Sequence, residues 1–195
     1  VKTEAVITDM NQVLGYSAGN ALEMIETVDY LTGKSREPRL HEVTLALAIP
    51  MLVHTKLAAN KEDALSKINK VLADGSAAEL FSKMIAKLGG PRDLLENPWQ
   101  SMSTANVIQD IKVERSGFIS AMQTRDIGMA IVELGGGRLA NGQAIDHSVG
   151  LDQILPVGTK VSAGDTIARL HASSVDKADV AIGHLLKSIE ISDEA

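Results

Sequence analysis

Gly135, Gly136, Gly137 and Arg138 combine bare backbone amides with a guanidinium, the chemistry of an anion site. The spacing is not that of a phosphate loop, because GxxxxGK[ST] is missing and no convincing strand leads into the triplet. The plainer reading is a helix C-cap that continues into a mobile loop. The histidines are no more decisive. His41 and His54 fall on one long helical stretch, His147, His171 and His184 are scattered, and neither HExxH nor a paired metal spacing occurs. Each reads as a surface or packing residue. Glu62 and Asp63 suit a helix start, and Asp193 and Glu194 a solvated tail. The sequence places no nucleophile and base together.

The elements that must position these residues change character along the chain. From Gly19 to about Gly90 the pattern is helical. Asn20 followed by Glu23 reads as a capping box, with Leu22, Ile25 and Tyr30 on the apolar side before Gly33 ends the helix. Pro38 is placed for a first turn, and a stripe through Leu40, Val43, Leu47, Met51 and Val53 follows it. Pro50 inside that stripe predicts a kink or an interruption. Shorter helices are expected from Lys61 to Ala73 and from Ser76 to Leu88. PRDLLENPWQSMSTAN marks a subdomain boundary, which divides the chain into a helical part, 1–105, opening on one strand, and an α+β part, 106–195. In the second part Val107, Ile111 and Val113, then Phe118, Ile119 and Met122, predict two strands joined around Ser116 and Gly117. RDIGMAIVEL predicts a short helix ending at the glycine triplet, Gly158 and Gly164 predict tight turns between short strands, and SVDKADVAIGHLLKSIEIS is amphipathic.

Composition excludes several classes of function. The chain has 195 residues, 45% of them hydrophobic, enough for one sizeable core or two smaller ones. A net charge of -6 with no long basic run argues against nucleic acid as a partner. The absence of cysteine removes disulfides and thiolate metal sites. No apolar segment approaches the roughly 20 residues of a membrane helix, and no signal-peptide pattern opens the chain, so a soluble, cytoplasmic protein is expected. A first residue of Val1 rather than methionine fits a processed or truncated start, or a chain cut from something longer.

ITDMNQVLGYSAGNALEMIE is similar to the segment of pyrimidine nucleoside and thymidine phosphorylases that runs from a sheet strand into a helix of their large α/β domain. TGKSREPRLHEVTLAL, GFISAMQTRDIGMAIVELGGGR, IDHSVG and GTKVSAGDTIARLHA agree in order, so the resemblance covers nearly the whole chain. REPRL after the TG favours the thymidine branch over the broader pyrimidine branch, and Val13 departs from the proline usual after the glutamine. GFISAM with VGTKVSAGDTIARLHA also resembles the halves of a biotinyl or lipoyl carrier, but Gln123 stands where the modified lysine would be. The fold expected is therefore an α/β parent, with helices of the large α/β domain followed by a C-terminal α+β, biotinyl/lipoyl-like hybrid subdomain.

The resemblance implies phosphorolysis of thymidine or deoxyuridine to the base and 2-deoxyribose 1-phosphate, with phosphate as co-substrate, no organic cofactor and no covalent intermediate. It implies a homodimer as the complete protein, without nucleic acid or membrane as partners. The family's phosphate loop and pyrimidine contacts lie upstream of the matched segment, so no catalytic or substrate-binding residue is expected here and the segment alone should be inactive. A potassium site is implied at Leu14, Ser17 and Glu26, the first two through carbonyls. Gly135, Gly136, Gly137 and Arg138 are expected to open a loop that orders on domain closure. A non-catalytic biotinyl-like binding module is the alternative of another class. A phosphoribosyltransferase of the anthranilate type shares the ancestral fold but not the segment from Asn106 onward.

Overall fold

Helix starts in the computed structural model, which describes residues 3–194, coincide with side chains able to accept hydrogen bonds. Glu37 accepts the Leu40 N–H ahead of α2 (Pro38–His54), and Pro38 at the first position has no N–H to leave unpaired. Asn60 accepts the Asp63 N–H at 2.9 Å ahead of α3 (Lys61–Ala73). The Asp74 carboxylate takes the Ser76 N–H at 3.0 Å before α4 (Ser76–Lys87). α1 (Asn20–Thr32) departs from the expected capping box: the Glu23 carboxylate reaches back to the Gly19 N–H at 2.9 Å, not to Asn20. Pro50 does not interrupt α2, which runs four residues beyond it to His54. A proline costs the helix one hydrogen bond, which continued packing can offset.

The chain divides into two compact units. The first takes the described residues through Asp9 together with Thr27–Ser101. Its buried centre is Tyr30, Ile68 and Leu72, against which Leu40, Leu45, Ile49 and Leu52 pack. Arg36 donates to Tyr30 O at 2.9 Å and to Leu72 O at 3.1 Å, so one cation serves the C-terminal carbonyls of both α1 and α3. No residue of α2 is buried, and Met51 is 63% exposed. The strand expected near Val6 does not form, and Ile7 is 99% exposed. A strand exists only by pairing, and no described residue offers it a ladder. The start at Val1 lies outside the described residues.

The second unit joins Met10–Glu26 to the chain from Met102 on. The observed break thus falls near the expected boundary, but residues 10–26, which the sequence reading grouped with the helices, pack with the C-terminal part. Here β1 (Val107–Lys112), β5 (Thr166–Ala172) and β3 (Gly150–Asp152) form one antiparallel sheet in the order β1-β5-β3. β4 (Lys160–Val161), β2 (Gly117–Met122) and β6 (Ile189–Ser192) form another in the order β4-β2-β6. β1 and β2 therefore belong to different sheets. α5 (Thr124–Ile131) and α6 (Val175–Ser188) add helices to a core containing Ile111, Ile119, Leu134, Ile167, Leu170 and Leu185. The final amphipathic stretch stops being helical at Ser188 because IEIS enters the ladder beside β2. The unit is a small mixed domain of helices and sheets.

Candidate functional site

Residues 10–21 form a strap across the C-terminal unit. Met10 O accepts from the Thr124 hydroxyl at 2.9 Å, Gln12 Oε1 from the Val157 N–H at 3.0 Å and Tyr16 O from the Ile154 N–H at 3.0 Å. Ala18 exchanges two backbone hydrogen bonds with Leu151, at 2.9 and 2.8 Å, and the Ala21 N–H donates to His147 O at 3.1 Å. The strap advances as its partners step back from Val157 to His147, an antiparallel course that satisfies backbone groups on both sides. Gly19 and Gly150 allow the close approach. A Cβ on Gly150 would strike Ala18 O, and one on Gly19 would lie 2.6 Å from Val149 O.

The strap also wraps a carboxylate. The Tyr16 N–H donates to Glu26 Oε1 at 2.6 Å, and the Ser17 hydroxyl donates to Oε2. A Cβ on Gly15 would collide with the same carboxylate. The carbonyls alternate in use: those of Tyr16 and Ala18 accept from Ile154 and Leu151, whereas those of Leu14 and Ser17 accept nothing among the described residues. The structure thus gathers the three residues named for an ion into one loop and its helix.

The glycine triplet is a junction. α5 ends in a π-turn, Val132–Gly136, in which Gly135 has φ 109°. Three successive carbonyls then accept from three different places: Leu134 O from Lys177 Nζ at 3.2 Å, Gly135 O from the Asp146 N–H at 2.9 Å and Gly136 O from Asn20 Nδ2 at 3.1 Å. The mobile loop read from the sequence begins after the triplet, at Arg138, whose Nε donates to Gln143 O at 2.9 Å.

Sequence reasoning missed a charged cluster on the β1-β5-β3 sheet. Arg169 grips Asp152 through two hydrogen bonds, Nε to Oδ1 at 2.8 Å and Nη2 to Oδ2 at 2.6 Å. Buried His171, 4% exposed, places Nε2 3.3 Å from Asp152 Oδ2, an ion-pair distance at which that nitrogen still has no hydrogen-bond partner among the described residues. Burial would raise the Asp152 pKa, but its contacts with His171 and Arg169 outweigh that and hold the carboxyl below its ordinary range. The register explains the meeting: Asp152 faces Arg169, and Gly150 faces His171, leaving room for the ring to lean toward Asp152. The remaining histidines are dispersed, with His41 on the Tyr30 hydroxyl, His54 by Glu4 and His184 by Glu133. No three His, Asp or Glu side chains among the described residues converge in a way that could hold a metal ion.

Residues 118–192 match the pyrimidine nucleoside phosphorylase C-terminal domain. Over all 195 residues the chain is 55% identical to a thymidine phosphorylase of Colwellia psychrerythraea. The chain thus carries the pyrimidine nucleoside phosphorylase C-terminal domain over residues 118–192. It spans 44% of the length of that curated relative and corresponds to the C-terminal portion of the family's fold. In pyrimidine nucleoside phosphorylase terms, the matched domain begins inside β2, so the strap and β1 lie outside it.

Proposed function

We propose that this chain is the C-terminal part of an enzyme that phosphorolyses thymidine or deoxyuridine to the free base and 2-deoxyribose 1-phosphate in pyrimidine salvage and catabolism. The observation that carries the reading is identity of 55% to a thymidine phosphorylase across the whole chain. A broad-specificity pyrimidine nucleoside phosphorylase is the runner-up, favoured by the wider family to which the C-terminal domain belongs. In the reaction, phosphate oxygen attacks the anomeric carbon as the bond to the pyrimidine nitrogen breaks, and the enzyme acts by alignment and by stabilising charge on the departing base. The groups that hold phosphate and base belong to the part of the family upstream of this segment.

Within that reading, the helices of residues 27–101 belong to a large α/β domain, and residues 10–26 together with the chain from Met102 on form a C-terminal unit with a biotinyl/lipoyl-like hybrid fold. The complete protein is a cytoplasmic homodimer. The Leu14 and Ser17 carbonyls, which accept no hydrogen bond among the described residues, and the Glu26 carboxylate, which the same loop contacts through Tyr16 and Ser17, supply the kind of oxygens that suit potassium. The Gly135–Arg138 turn anchors a loop that orders as the domains close, with Arg138 available to an anion or to the opposite domain. The test is thymine release from thymidine: the complete protein should show it only with phosphate present, and this chain alone should show none. Activity of the isolated chain above a no-protein control would overturn the assignment of the missing ligand-binding groups.

A further inference from the structure

The tip of the loop after Arg138 carries the chain's one asparagine followed by glycine, Asn141 and Gly142. Both residues are exposed, and a Cβ built on Gly142 would meet nothing within 4 Å. The loop is tied at its ends. Arg138 Nε donates to Gln143 O at 2.9 Å, the Leu139 N–H donates to Gln143 Oε1 at 2.9 Å, and the Gln143 N–H closes on Ala140 O at 3.3 Å. Between these ties Gly142 sits at φ 83°, and its own N–H has no hydrogen-bond partner among the described residues. An unhindered, uncommitted backbone nitrogen therefore lies next to the carboxamide of the preceding side chain.

We propose that Asn141 is a site of spontaneous deamidation, with water as the co-reactant. The Gly142 nitrogen, losing its proton to base, attacks Asn141 Cγ. The bond from Cγ to Nδ2 breaks, Nδ2 leaves as ammonia carrying the returned proton, and a five-membered succinimide remains. Water opening the ring at Cγ gives aspartate, and water opening it at the main-chain carbonyl carbon gives isoaspartate. No oxidation or reduction is involved. Either product adds a negative charge three residues from Arg138, and isoaspartate also lengthens the backbone inside the turn that Arg138 and Gln143 close.

The chain supplies its own comparison. Asn11, Asn20, Asn60, Asn69, Asn97 and Asn106 precede Gln12, Ala21, Lys61, Lys70, Pro98 and Val107, all of which put a side chain or a ring beside the attacking nitrogen. At least four of the six are also held by side-chain hydrogen bonds: Asn20 donates to Gly136 O, Asn60 accepts from the Asp63 N–H, Asn97 donates to the Asp93 carboxylate and Asn106 donates to Ser173 O.

The test is incubation of the folded chain at mildly alkaline pH, followed by trypsin cleavage after Arg138 and Lys160. The fragment released has Asn141 as its one asparagine, and fragment ions that separate Asn141 from Gln143 and Gln153 assign its amide-to-acid mass shift to this site. A free peptide of residues 139–145 sets the reference rate. The expected result is conversion in the folded chain within about tenfold of the peptide rate, because opening an exposed loop tip is inexpensive. Both aspartate and isoaspartate should form, and fragments bearing the other asparagines should stay as amides. Gly142→Ala should slow conversion by about tenfold, since its Cβ shields the nitrogen and disfavours the positive φ. An Asn141 amide that stays intact while the free peptide converts, or conversion spread evenly over all asparagines, would overturn the proposal.

Discussion

Gly15→Ala places a methyl group where the Glu26 carboxylate stands, so either the strap or the helix must yield. The cost expected is about 2 kcal/mol of unfolding free energy, the usual range for overpacking a tight site, read from denaturant midpoints. Glu26→Gln should cost less, because the amide retains one acceptor for Tyr16 or Ser17. In the complete protein the same substitution should weaken dependence on potassium. Unchanged activity across a potassium titration would remove Glu26 as a ligand. Asp152 adds a dependence on pH. Its carboxyl is held below the ordinary value of 3.8, so below that value the unfolded chain binds the proton more readily than the folded one. Its contribution is complete above 3.8 and is lost as pH falls through the depressed folded value. Asp152→Asn should therefore lower stability at neutral pH and flatten the acid limb of the stability profile, which unfolding midpoints at a series of pH values would register. This cluster was not legible in the sequence, because Asp152 and Arg169 meet only through the register of β3 and β5, and a three-residue strand has no readable periodicity.

Among the elements, those with local signals were legible and those defined by partners were not. α3 runs over the expected residues because Asn60 caps it, and α2 starts where Pro38 suggested. The pairing of the strap was not legible for the opposite reason: Gly19 is needed only where Ala18 meets Leu151, a pairing far apart in sequence, and Gly15 only where the Glu26 carboxylate packs. Ala18→Pro deletes a donor from that pairing and should destabilise the C-terminal unit by about 2 kcal/mol or more. Hydrogen exchange would then show faster exchange at Leu151 and Ile154 than in the parent chain. The triplet divides similarly. Asn20→Ala frees the Gly136 carbonyl and should loosen the junction, whereas Arg138→Ala touches only an exposed clasp. In the complete enzyme Arg138→Ala should lower kcat with little change in unfolding midpoint. Wild-type kinetics in that variant would show that the loop is only a connection.

At the scale of the molecule, the family was legible because several motifs stand in the family's order, whereas the grouping of residues into units was not. Residues 10–26 belong with the C-terminal unit although 27–101 intervene, a division that follows from hydrogen bonds and not from composition. The central claim is that the protein containing this chain transfers a deoxyribosyl group from a pyrimidine to phosphate. Its most direct test is to incubate the complete protein with thymidine and inorganic phosphate and quantify both products. Thymine and 2-deoxyribose 1-phosphate should form in equal amounts, with neither formed when phosphate is withheld. Release of thymine without phosphate, or with free deoxyribose as the other product, would contradict the claim.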